Sequence, residues 1–347
     1  MSIKTFKKDQ SIETLRGLAI ILMVAGHVIG NTSETGMRVE DDSVFRHMYF
    51  SLKFLRMPLF TVISGYVYAL RPLDTTMIGK FIKGKARRIL LPMIAVGTLQ
   101  YFVRIIVPGT NKTPDISNIW SIYFFPFDQF WFLQSIFLIF LSITLLEYFK
   151  LLRTPLKWFI SFIFVCGMFL QMPLFTSFFS FFGYIYLFPF FILGIGLYRF
   201  SNFLLSNKIS FTLLFVFVAS IIVQQLAWYN YLTIDLDRYS PLSLTIGISG
   251  IILLFKIKRN LRWLAWFGYY AYGIYLFHVF GTAGSRIIIS KFGIHHGMLI
   301  FSVGLLAGLL FPILLETFID RSPRLRLIFL GLKPRQVATG SIGQTKT

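Results

Sequence analysis

The sequence predicts an all-α protein: a polytopic transmembrane helix bundle of about ten spans with both termini cytoplasmic. Hydrophobic residues make up 56% of its 347 residues and charged ones 14%, with a mean hydropathy of +0.70. Soluble domains carry about 25% charged residues, so a soluble core cannot absorb this much apolar surface. Phe alone accounts for 41 residues, in runs such as Phe178–Phe182 that show no polar face. The third observation is a one-sided distribution of Lys and Arg over the segments between apolar runs.

Those runs, each about 18 to 25 residues long, fall near 13–31, 46–70, 88–107, 129–149, 155–173, 178–198, 209–228, 240–256, 264–284 and 297–318. The first, preceded by Lys4, Lys7 and Lys8 and followed by no small-residue cleavage pattern, reads as a retained span rather than a signal peptide. With the N-terminus in the cytoplasm, 24 of the 34 Lys and Arg residues lie on the cytoplasmic side and six on the other. This bias sets the orientation. It also explains the net charge of +20 without a nucleic-acid partner, because the basic residues are spread over many short connections. Cys166, the single cysteine, permits neither an intramolecular disulfide nor a cysteine metal cluster. No metal site is expected. Residues 1–332 read as one transmembrane domain and 333–347 as a polar, disordered tail.

Polar residues inside spans are costly and mark pathways or sites. In the first span Arg16 and His27 are eleven residues apart. That is about three helical turns, which puts both on one face, roughly 16 Å apart along the axis. A snorkelling arginine and a hydrogen-bonded core histidine are the bland alternative. The second span carries Lys53 and Arg56 before Met57-Pro58-Leu59-Phe60, then Ser64-Gly65, where glycine permits close helix approach and Ser64 is either a site hydroxyl or a packing group bonded to its own helix. The loop with Lys80, Lys83, Lys85, Arg87 and Arg88 either anchors on anionic lipid or clamps a phosphorylated ligand. In the ninth span Tyr272 and His278 offer a hydroxyl and an imidazole to a cavity, although interfacial tyrosines also form belts.

Together these segments resemble the acyltransferase-3 family of integral-membrane O-acyltransferases. The similarity rests on the Arg16/His27 spacing, Arg56-Met57-Pro58-Leu59-Phe60 with Ser64-Gly65, Arg87-Arg88-Ile89-Leu90-Leu91-Pro92, Trp131-Phe132-Leu133 and Tyr272-Gly273-Ile274-Tyr275-Leu276-Phe277-His278, in that order over nearly the whole chain. Gln129, Ala271 and Val279 depart from the pattern, where relatives often carry His, Ser and Pro. The resemblance implies transfer of an acyl group, often acetyl, from a cytosolic coenzyme A thioester to a sugar hydroxyl of a surface or periplasmic glycan. It thus implies an enzyme of a bacterial inner membrane. Some members carry a fused extracytoplasmic hydrolase-like domain; none is visible here, so the chain is expected to act alone or with a separate partner.

Such a transfer needs a base for the hydroxyl, a donor for the oxyanion and anchors for the charged carrier. The expected assignment makes His27 the base and Arg16 the residue that holds or polarises the acyl donor. Lys85, Arg87, Arg88 and Arg56 are expected to bind acyl-coenzyme A, above all acetyl-coenzyme A, as the donor substrate, with no permanently bound cofactor, and Ser64, Trp131, Tyr272 and His278 to line the substrate path. An acyl-enzyme at Ser64 or His27 stays open. The alternatives are a transporter or flippase of a lipid-linked sugar or other anionic substrate, and a membrane sensor without chemistry.

Overall fold

The computed structural model describes residues 9–111, 113–171, 176–294 and 296–333; the expected tail, from residue 334 on, lies outside them. The described chain is helical throughout its ordered elements. α1 (Gln10–Ile29) starts on Asp9, whose carboxylate accepts the Ser11 N–H at 2.9 Å, and stops at Gly30, with φ 85°. α2 (Val44–Leu70) is capped by Ser43 and contains Pro58, and α3 (Ile78–Ile106) contains Pro92. There follow the one-turn α4 (Ser121–Phe124), α5 (Trp131–Tyr148), α6 (Pro155–Leu170), α7 (Phe181–Arg199) and the short α8 (Ser201–Leu204). The chain continues through α9 (Asn207–Trp228), α10 (Pro241–Ile257), α11 (Arg262–Tyr269), α12 (Ala271–Lys291), α13 (Gly297–Ile319) and α14 (Pro323–Leu330).

Every expected apolar stretch overlaps a helix, and length and composition alone single out fewer than ten of them as spans. Among the described residues, six helical segments are long and apolar enough to cross a membrane, and a seventh is counted if α10 and α11, bent by 119°, are one span. α6, with 16 residues, is short. α2 carries Arg46, Lys53 and Arg56, and α12 carries His278, Arg286 and Lys291, which lowers their hydropathy. Two boundaries also move. The basic segment expected as a loop is helical from Ile78, since Lys, Arg and Ala extend a helix readily. The expected ninth span breaks at Tyr270, between α11 and α12.

Glycines let the helices meet backbone to backbone. Gly65 of α2 faces Phe191 O of α7 and Gly194 of α7 faces Val62 O of α2; a Cβ at either glycine would lie 2.1 Å from that oxygen. Gly17 of α1 and Gly268 of α11 pack on each other's helices in the same reciprocal way, against Leu264 O and Glu13 O. Close approach through small residues is how membrane helices associate when lipid removes the hydrophobic drive. These crossings lock α2 against α7 and α11 against α1, leaving the flank where α1, α2, α3 and α12 converge to frame a cavity.

Candidate active site

His27 lies in the last turn of α1 and is exposed to a cavity of about 900 Å³. Its walls include Tyr49, Lys53, Arg56 and Trp131, together with the connection from Gly30 to Met37, Asp237 and Arg238. The cavity therefore reaches the face of the bundle where α1 ends.

Arg56 is brought to His27 by the absence of a side chain at Gly26. A Cβ there would sit 1.4 Å from Arg56 Nη1, so the guanidinium occupies that space, one residue before the histidine. Its other side stacks on Tyr49, with Cζ 4.0 Å from the ring centroid, a cation–π contact that orients the charge without neutralising it.

Behind His27 stands His278 of α12, with ring centroids 4.7 Å apart and planes inclined by 57°. His278 is wholly buried, and its Nδ1 faces the carbonyl oxygens of Tyr275 at 2.9 Å and Ile274 at 3.2 Å. A ring nitrogen facing two acceptors carries the proton, so the neutral ring keeps its lone pair on Nε2. That Nε2 is buried without a hydrogen-bond partner among the described residues. His278 is not among the residues that line the cavity; it packs behind His27.

A polar chain braces the opposite wall. Arg104 pairs with Asp128 at 2.7 Å, Gln100 Nε2 donates to Asp128 Oδ2 at 2.5 Å, and Gln129 Nε2 donates to Gln100 Oε1 at 2.8 Å. The Tyr275 hydroxyl donates to the Gln129 carbonyl oxygen. Asp128 adopts φ 42°, a conformation that non-glycine residues seldom take, at the point where Arg104 and Gln100 bind its carboxylate. Trp131 follows on the cavity wall, its ring packed where Gly183 leaves room. Sequence reasoning passed over Gln100, Arg104 and Asp128. The signal was there: Gln100 and Arg104 stand four residues apart, on one helix face, at the end of an apolar run.

The other expected site residues are dispersed. Arg16 Nη1 bonds both carboxylate oxygens of Glu13 at 2.7 Å, towards the opposite end of α1, and does not line the cavity. Ser64 donates to Phe60 O four residues back, at 2.9 Å. Pro92 lacks an N–H, which frees the carbonyl of Arg88, and the Tyr272 hydroxyl donates to that oxygen. Lys85 Nζ lies 3.6 Å from the Phe140 ring centroid, and Arg87 Nε donates to Gly331 O at 3.1 Å, docking the end of α14. Thus Ser64, Tyr272, Lys85 and Arg87 each have a structural contact, whereas His27, Arg56 and Trp131 meet at one cavity.

Residues 9–317 match the family model of an acyltransferase domain, Acyl_transf_3. The chain belongs to the acyltransferase-3 family. No curated protein and no solved structure matches it. This acyltransferase is therefore an enzyme that moves an acyl group from a donor to an acceptor, built as a multi-pass membrane protein. At its cavity stand an imidazole, His27, with His278 packed behind it, and the Arg56 guanidinium beside it.

Proposed function

We propose that this acyltransferase transfers an acetyl group from cytosolic acetyl-coenzyme A to a hydroxyl of a cell-surface or periplasmic glycan, in a bacterial inner membrane. The observation that carries the chemistry is the meeting of His27 and Arg56 at one cavity. His27 takes the acceptor's hydroxyl proton as its oxygen attacks the thioester carbonyl. Arg56 stabilises the oxyanion that forms. When the tetrahedral intermediate collapses, the C–S bond breaks, and the imidazolium returns its proton to the leaving thiolate. His278 holds the imidazole from behind.

In this reading α2, α6, α10 and α12 join the clearly apolar helices to make about ten crossings. α2 and α12 are less apolar because they face the bundle and its cavity. With both termini cytoplasmic, the cavity opens outward, where the acceptor arrives, while the donor approaches from the side of Arg16. Only one Arg16 nitrogen is used by Glu13. The remaining N–H groups of Arg16, with those of Arg88, are available to coenzyme A phosphates.

The test uses purified protein in nanodiscs with acetyl-labelled coenzyme A and candidate glycans, scoring label released from glycan by mild alkali. His27→Ala is expected to lower transfer by about 10²–10⁴-fold. Arg56→Ala is expected to lower it by about 10²–10³-fold. Full transfer by either variant would refute its assignment.

A further inference from the structure

Lys53 and Arg56 stand one turn apart on α2 and line the same cavity as Arg238. Lys53 Nζ donates to Leu236 O at 2.6 Å, which fastens α2 to the segment that carries Arg238. The backbone of Arg238 is itself fixed: its N–H donates to Asp237 Oδ1 at 2.6 Å and its carbonyl accepts Ser243 Oγ at 2.7 Å. The frame that holds the three cations is thus built from both sides. None of the three forms an ion pair among the described residues. Asp237, on the same wall, and Asp235 both lie close enough to Lys53 to act on its charge, and two carboxylates against three cations leave the cluster with net positive charge.

Positive charge in excess of its counter-charge at a cavity in a bundle is costly, and is retained where a ligand supplies the missing sign. The remaining Lys53 N–H groups and two guanidinium forks suit the oxygens of a carboxylate or phosphate. This wall lies at the face where α1 ends, the side assigned above to the acceptor. We propose that Lys53, Arg56 and Arg238 form an anion subsite for the acceptor, and that the acceptor is an acidic saccharide or a phosphate-linked one. The inference rests on the outward reading of the cavity. A neutral sugar would fill the space and leave the excess positive charge of half-buried Lys53 and Arg56 and exposed Arg238 uncompensated.

Binding to the full chain in phosphatidylcholine nanodiscs tests this with two matched pairs: tetragalacturonate against its neutral methyl ester, and undecaprenyl phosphate against undecaprenol. At low salt the wild-type protein is expected to prefer the charged member of at least one pair by about tenfold or more, as one charge-assisted contact supplies. The preferring pair identifies the source of the anion. Added salt should shrink the preference, and Lys53→Gln/Arg238→Gln should bring it close to unity while leaving acetyl-coenzyme A affinity unchanged. Equal affinity within both pairs overturns the subsite. A preference that survives in the double variant overturns the residues. Lost acetyl-coenzyme A affinity, with the variant monodisperse, assigns the cations to the donor and overturns the acceptor assignment. Failure of ester label to appear on any glycan, with the charge preference intact, would refute glycan acetylation alone.

Discussion

At the scale of single residues, the pair read from the first span divides into two stations. His27 opens on the cavity, while Arg16 is bonded to Glu13, which is buried. Glu13 needs its partner: Arg16→Gln leaves a buried carboxylate uncompensated and is expected to lower stability by about 3 kcal/mol. Glu13→Gln/Arg16→Gln should recover most of that in thermal unfolding, yet still transfer poorly, with a raised KM for acetyl-coenzyme A. Recovery of both stability and transfer would leave Arg16 a purely structural role. The eleven-residue spacing was legible because helical periodicity is local. Arg56 beside His27 was not, since it depends on Gly26, and a glycine in a membrane helix does not announce what fills its space. Tyr272 taught the same lesson in reverse: its hydroxyl serves a carbonyl orphaned by Pro92 on another helix, a pairing that only tertiary contact reveals.

At the scale of helices, apolar run length located each element but did not separate the helices that carry polar groups from those that are apolar throughout. α2 and α12 carry the polar groups of the site and so are less apolar than the helices that face lipid. The basic stretch before Arg88 broke the apolar pattern without breaking the helix, because charge and helix propensity are separate properties. The contact between α2 and α7 gives the sharpest expectation at this scale. Gly65→Ala would drive a methyl group to 2.1 Å from Phe191 O, and backbone cannot yield as a side chain does. Overpacking of this kind costs about 1–3 kcal/mol or more. It should appear as a lower unfolding temperature, and it should displace α2, so that transfer falls along with stability. Unchanged stability in Gly65→Ala would mean that the two helices do not meet at this crossing.

At the scale of the whole molecule, an ion pair at the ends of two helices joins α1 to α10. Lys258 Nζ lies 3.0 Å from Asp9 Oδ2, just outside both helices. Burial raises the pKa of Asp9, but hydrogen bonds from Ser11 and Lys258 outweigh it and hold the carboxyl below its ordinary 3.8. Burial likewise lowers Lys258, and its bonds to Asp9 and Tyr66 outweigh that and hold it above 10.5. The Asp9 contribution to stability is thus complete above pH 3.8 and is lost as pH falls through its lower, folded value. The Lys258 contribution is complete below pH 10.5 and is lost as pH rises through its higher, folded value. The thermal-stability gap between wild type and Asp9→Asn should therefore be flat from about pH 5 to 9 and shrink in acid. A gap that widens in acid would contradict the pairing. A different dependence follows from α9, which packs mainly on α10 and has almost none of its apolar window covered by protein; Phe211 and Phe215 stand fully outward. Its 22 residues give roughly 33 Å of helix, and the annulus of acyl chains around it supplies the contacts that other helices obtain from neighbours. Bilayer thickness and detergent choice will therefore act first on this one helix, and a preparation stripped of lipid should fray there long before the cavity is disturbed.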